Sequence, residues 1–421
     1  MVHVLRPGLV KSFDQYWEKT IARTLRCDRE AFSASRIDLV WDLYFSDSLK
    51  DFVRVGRGTG TRRQVLASSP VPIKEWQDFL KNDDNKKQLF RFLAYCALSK
   101  PLGCLVVTNM DDTIVSSAAQ NIQSPGTSLS GLHCGGMEEA DGRLFLHLQD
   151  AVENGHTTAA IRTVDTDVFA LAISYYFQLK REGLTELWTT LGVGDKTRHI
   201  PCHIIATKMG ERRSVALRGF HAFSGCDLTS GFRGKKKKSA WNTWELYKEA
   251  TEAFYILSFP ASKSTLEENV FPVLEKFAIL MYGGDLGMTS IDDARLALFT
   301  SKQKQLHELP PTANALQQHI LRCSYQAGYV WGQATVRNPV IPSPQGWGWT
   351  KDEKQQWVPV WTTIPPIWEA CRQYLVKCGC KKGCGGLCSC RKAGQGVFCT
   401  IFCSHCHGDC SNKQRAGVSY R

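Results

Sequence analysis

The chain has no long hydrophobic run. Its longest apolar stretch, Val168 to Phe177, falls far short of the roughly 20 residues a membrane-crossing helix needs. No charged-then-apolar leader follows Met1, so a secretory signal is not expected. Acids are nearly absent from the end of the chain, where residues 371–421 carry nine Lys or Arg against one acid, Asp409. Cysteine is scarce outside that stretch: of seventeen, seven are scattered over residues 1–370 and ten crowd into the tail. This distribution argues against a secreted disulfide scaffold and for reduced thiols in a core plus one metal-binding cluster. With 421 residues, 43% hydrophobic and 22% charged, the chain reads as two or three globular domains. The net charge of +12, concentrated in the tail, suits a polyanion, nucleic acid before an anionic membrane.

Periodicity predicts a helix from Phe13 to Leu25, then a short buried strand from Arg36 to Trp41 that ends at Asp42. Basic residues Lys50, Arg54, Arg57, Arg62 and Arg63 follow among Gly56, Gly58 and Gly60. Residues 74–98 have helical spacing, and Gly103 to Thr108 reads as a second strand. Glu138 opens a helix with an apolar stripe of Leu144, Leu148 and Val152. Thr158 to Val164 is a strand, Val168 to Arg181 a helix, and Pro201 to Ala206 a further strand candidate. Strands alternating with helices imply an α/β domain over residues 1–240, with a mainly parallel sheet and flanking helices. A helical region over 241–337 follows, in which Ser264 and Glu267 are placed as a capping box. Residues 338–370 form a Pro- and Trp-rich linker anchored by Trp347, Trp349, Trp357, Trp361 and Trp368, and residues 371–421 form a cysteine-rich module with a basic tail.

Carboxylates recur where such a sheet would gather them: Asp42 and the pair Asp165 and Asp167 at strand ends, Glu139 and Asp141 at a helix start, and Asp227 in the turn Gly225 to Gly231. Each alone could cap a helix or favour its dipole. Together they repel unless a cation neutralises them, which points to one or two Mg²⁺ or Mn²⁺ ions and to phosphodiester hydrolysis. The run Glu139-Ala140-Asp141, Asp165-Thr166-Asp167, then Gly225-Cys226-Asp227 before Gly231 and Gly234-Lys235, resembles the acidic motifs of PIN-like nucleases of the flap endonuclease type. Val40-Trp41-Asp42 followed by Lys50 and Arg54 is similar to that family's second acidic motif and its phosphate-steering residues. The resemblance, over residues 1–240, implies that Asp42, Glu139, Asp141, Asp165, Asp167 and Asp227 bind the catalytic metals. It also implies a metal-binding Asp at the end of a first strand. Nothing acidic precedes Asp14 here, so the expectation is a domain that lacks this strand, with nuclease activity weakened or lost.

The tail spacing C-x-C-x3-C-x3-C-x-C-x8-C-x3-C-x2-C-x3-C comprises Cys378, Cys380, Cys384, Cys388, Cys390, Cys399, Cys403, Cys406 and Cys410. Nine thiolates complete about three tetrahedral zinc sites if three of them bridge, leaving Cys371, His405 and His407 as spares. The pattern resembles the tesmin-type CXC domain, a DNA-binding zinc module, and Lys381-Lys382 fits its basic signature. That family has a DNA-reaching tyrosine where this chain has Leu387. The joined arrangement is similar to animal proteins derived from mobile elements. The expected function is thus a nuclear, Mg-dependent DNA endonuclease-like protein held on DNA by a zinc module, with Lys50, Arg54, Arg57, Arg62, Arg63 and the run Lys235, Lys236, Lys237 and Lys238 on phosphates, and no membrane association. The alternative is a catalytically inactive DNA-binding or scaffold protein.

Overall fold

A computed structural model describes residues 2–45, 47–50, 58–120, 132, 137–192, 194–285, 287, 288, 290–301, 308–362, 377–381, 384–392, 398, 399, 403 and 405–412. Arg54, Arg57, Lys382, Cys371 and Trp368 lie outside the described residues. The chain divides into two compact units, residues 1–231, 236–274 and 319–360 in the first, and 232–235, 275–318 and 361–421 in the second.

The first unit starts with α1 (Phe13–Tyr16), capped by the Ser12 hydroxyl, which accepts the Gln15 N–H at 3.3 Å. A π-helical turn, Trp17–Ala22, leads into α2 (Arg23–Phe32), which stops at Ser33 in the left-handed region, φ 49°. After β1 (Arg36–Leu39) come α3 (Trp76–Phe79) and α4 (Asp83–Ser99), the latter capped by Asn82. β2 (Leu105–Met110) runs parallel to β1 and turns at Asp111 into the antiparallel β3 (Thr113–Ser116). Phe13, Tyr16, Trp17 and Ile21 are fully buried in one core with Trp76, Phe79, Leu89 and Leu93. α5 (Ala140–Glu153) precedes β4 (Thr158–Arg162), α6 (Thr166–Arg181), β5 (Glu186–Leu191) and β6 (Arg198–Pro201).

The expected helices and strands of residues 13–181 thus form close to their anticipated positions. The sheet differs. In place of a mainly parallel sheet there are two three-stranded mixed sheets, ordered β1-β2-β3 and β4-β5-β6, each with one parallel and one antiparallel pair. Short turns at Asp111 and at Gly192 and Gly194, all with positive φ, fold the chain straight back and so force the antiparallel pairs.

Pro201 to Ala206 is not a strand. Pro201 closes β6, and Cys202–Met209 is helix α7, because Cys202 and Ala206, one helical turn apart, are both fully buried while Ile204 faces solvent. α8 (Glu211–Phe223), α9 (Lys237–Leu246) and α10 (Ala250–Leu257) follow. Gly219 allows α8 to approach α10, since a Cβ there would collide with the Phe254 carbonyl. Phe220 stacks on Trp244 at 4.7 Å between ring centres and meets Phe254 edge-on. The capping box also shifts: Ser262, not Ser264, accepts the Thr265 N–H at 3.1 Å, because the helix begins at Lys263 and Ser264 lies within its first turn. In the linker, Trp349–Lys351 and Trp357–Pro359 pair as a hairpin, with Trp347, Trp349 and Trp357 buried. Trp361 is exposed. No described helix is long and apolar enough to cross a membrane.

In the second unit, the helix Ile291–Ser301 is tied at its start by the Ile291 N–H to the Glu275 carboxylate, 2.9 Å. Seven cysteine side chains form a separate buried cluster there, with Cys380 and Cys410 packed against it.

Candidate functional site

The carboxylates predicted from spacing come together at the carboxyl ends of β1 and β4. β1 delivers Asp42 through Trp41, whose backbone N–H donates to Asn109 Oδ1 at 2.8 Å and whose indole N–H donates to Thr108 Oγ1 at 3.0 Å. Asp42 Oδ1 accepts the Ala140 N–H at 3.0 Å, so it caps α5 from a distant strand and fixes Asp141 beside itself. β4 delivers Asp165, which is the N-cap of α6 and accepts the Asp167 N–H at 2.9 Å. Asp167 is not that cap; it points to His221 Nε2 at 2.7 Å. Asp227 is placed by a tight turn. Cys226 N–H donates to the Thr229 carbonyl at 3.0 Å, and Gly225 at φ 108° lets Gly231 approach.

Lys50 sits among these acids. Its ammonium pairs with Glu139 and lies 3.7 Å from Asp227 Oδ2. Burial, then the Asp42 and Asp165 charges, push the Asp141 carboxyl up to about 7. Burial also raises Asp165, with Asp167 and Asp227 adding to the effect. Among the described residues, Lys50 and His221 pair with members of this set of six acids, and burial among like charges keeps the Asp141 carboxyl partly protonated at neutral pH. That imbalance is what a bound divalent cation would relieve. The carboxylates do not, however, close as tightly as the cysteines do: among the described residues, the only sets of three or more ligand atoms within 4.8 Å of one another are thiols. The residues fit an ion held by one or two carboxylates and waters, the usual arrangement for Mg²⁺.

Sequence spacing missed His221, which is buried on α8 and 54 residues from its partner Asp167. It also misplaced Lys237. The stem of that residue is exposed, but its ammonium turns inward and donates to the His221 carbonyl and Ser224 Oγ, both at 3.0 Å, leaving it unavailable to a phosphate. Burial lowers the Lys237 pKa accordingly. Arg62 donates to Asn85 Oδ1 at 2.9 Å and Arg63 pairs with Glu75, so both brace the loop ahead of α4. Lys236, Lys238 and Lys381 are exposed, and Lys235 lies over the Tyr282 ring at 5.1 Å.

The cysteine cluster is a site compatible with zinc. Three overlapping quartets each bring four sulfurs within 4.8 Å: Cys378, Cys384, Cys388 and Cys399; Cys378, Cys399, Cys403 and Cys406; and Cys384, Cys399, Cys406 and Cys410. Cys399 belongs to all three. Cys390 contacts Cys403 at 3.6 Å between sulfurs, outside the quartets. No described cysteine is in a disulfide. Burial raises the Cys378 and Cys406 thiols, whereas at Cys388, lowered to about 6, and at Cys410 burial is outweighed by backbone N–H groups and neighbouring thiols. A metal-free cluster is therefore of mixed protonation, and a soft cation would convert the rest to thiolates. Leu387 stands 85% exposed at the lip of this module.

No protein-family model, no curated protein and no solved structure matches the chain.

Proposed function

We propose that this protein processes nucleic acid, with a divalent-cation-dependent phosphodiester hydrolase centre of PIN-like type in its first unit and a zinc module that holds DNA in its second. The observation that carries the reading is the convergence of Asp42, Asp141 and Asp165, brought from β1, α5 and β4, with the Asp141 carboxyl pushed up to about 7. One or two of Asp42, Asp141 and Asp165 would hold the ion together with waters, with Glu139, Asp167 and Asp227 around them. A bound Mg²⁺ or Mn²⁺ supplies the charge that activates water and steadies the leaving oxygen. Lys50 balances Glu139 and Asp227 without one, and His221 fixes the direction of Asp167. The cysteine quartets would take about three zinc ions with bridging thiolates. The basic tail supplies phosphate contacts, and a nuclear location follows from a DNA substrate.

A second reading keeps the DNA-binding module and drops catalysis. It is favoured by the Lys50 ammonium standing where a cation would, with no three carboxylate oxygens closing on one point among the described residues. Purified zinc-loaded protein incubated with Mg²⁺ on flap and single-stranded DNA separates the two, beside an Asp141→Asn/Asp165→Asn variant. Cleavage by the parent and none by the variant supports the hydrolase. Equal cleavage by both removes Asp141 and Asp165 from the reaction, and cleavage by neither, alongside zinc-dependent and salt-sensitive DNA binding, leaves the second reading.

A further inference from the structure

Helix α8 ends with three of its last carbonyls taken by side chains. Thr229 Oγ1 donates to the Ala222 carbonyl at 2.6 Å, His319 Nε2 to that of Phe223 at 2.8 Å, and the Lys237 ammonium to that of His221 at 3.0 Å. Lys237 is the first residue of α9, so its bond also closes the turn that carries Asp227. No acid occupies that first turn of α9, and a lysine there opposes the helix dipole. The stability of α9 therefore does not account for Lys237. A cap on α8 accounts for part of what it does.

The same ammonium meets His221 a second time, at the ring. Nζ stands 3.3 Å from Nδ1 and also donates to Ser224 Oγ at 3.0 Å, so its three N–H groups have three acceptors. An ammonium has no lone pair. Nδ1 must therefore accept, and the bond it accepts leaves the ring proton on Nε2. Nε2 lies 2.7 Å from Asp167 Oδ1 and donates to it. His221 is buried, with Trp331 against its ring at 5.7 Å between centres, so the ring is held on both sides and at both nitrogens. The bonds run in one direction, from Lys237 to His221 to Asp167. A donor at Nδ1 polarises the imidazole and makes its Nε2–H a stronger donor.

We propose that Lys237 is a positioning residue of the carboxylate centre, which acts through the His221 ring to aim Asp167. The role rests on the cation-centred reading above. Held in this way, Asp167 places its charge beside Asp165 and Asp141, and the gathered charge is what draws a divalent cation. Partners one bond removed from an ion's surroundings are worth roughly ten- to a hundredfold in its affinity. A cap on α8 needs only the bonds to the His221 carbonyl and Ser224. The bond to Nδ1 is what joins Lys237 to the acids.

The test uses the full zinc-loaded chain with Mn²⁺ alone as the probe, unbound Mn²⁺ being read by electron paramagnetic resonance. Lys237→Met keeps the stem, removes the donors and should weaken Mn²⁺ binding about tenfold. His221→Gln keeps a donor toward Asp167 but has no Nδ1, and in that background Lys237→Met should cost only about twofold, the share of the cap. Equal losses in both backgrounds, or no loss in the single variant, overturn the proposal. A second measurement needs no ion. In the parent labelled with ¹⁵N-histidine, the His221 signals, identified by their loss in His221→Gln, should show hydrogen on Nε2 and none on Nδ1, and Lys237→Met should shift the Nδ1 signal. Hydrogen on Nδ1 of the parent overturns the proposal, and this measurement decides alone if Lys237→Met fails to fold. A parent that binds no Mn²⁺ removes the cation-centred reading and this role with it. A parent that binds Mn²⁺ no better than Lys237→Met removes the role alone.

Discussion

Replacing Asp141 with Asn tests the electrostatics of the carboxylate site without any assay of function. The Asp141 carboxyl is pushed from 3.8 up to about 7, first by burial and then by Asp42 and Asp165. A raised carboxyl pKa means the folded chain holds the proton more tightly than the unfolded one. Stability is therefore full below pH 3.8 and is lost as pH rises toward 7. At about 1.36 kcal/mol per pKa unit, ionising Asp141 costs the cation-free fold roughly 4 kcal/mol once pH exceeds 7. Asp141→Asn avoids that cost. Urea unfolding of parent and variant, in buffer freed of divalent ions by resin so that the cysteine module is not stripped, should give nearly equal stabilities at pH 4. The variant should gain about 2 kcal/mol by pH 5.5 and about 4 kcal/mol at pH 8. Added Mg²⁺ should narrow the gap by stabilising the parent alone. A difference independent of pH, or a less stable variant at pH 8, would refute the placement of Asp141 among Asp42 and Asp165.

Zinc content by atomic spectroscopy should fall most in Cys399→Ser, whose thiol belongs to all three quartets, and less in Cys410→Ser, which belongs to one. His221→Ala strands the Asp167 carboxylate and opens space beside Trp331, and should cost about 2 kcal/mol in urea unfolding; an unchanged midpoint would deny the pair its role. Gly225→Ala should destabilise by about 1–3 kcal/mol, because φ is 108° and its Cβ would lie 2.8 Å from Gly231 Cα. Circular dichroism melts read that loss, and an unaffected melt would mean the turn relaxes freely.

Local chemistry was legible without coordinates because it is short-range. Asp42 and Asp165 follow strands whose β-branched and apolar runs announce them, and the nine tail cysteines bracket one another within 33 residues. Their gathering could be anticipated from topology alone. Where the sequence misled, a second partner decided. Pro201 to Ala206 is apolar enough for a strand, yet the buried pair Cys202 and Ala206 makes it a helix. Lys237 belongs to a lysine run that reads as surface, and its ammonium is drawn in by His221 and Ser224.

The sequence by itself marked out the carboxylate set, the thiol set and most helices and strands up to Arg181, since each depends on residue type and near neighbours. Only tertiary structure decided that the strands split into two sheets, that Lys50 and His221 join the acids, and that β1 and β4 line one cavity. Strand partners and ion pairs join residues tens to more than a hundred positions apart, and no local period records which distant neighbour a given edge or charge will meet.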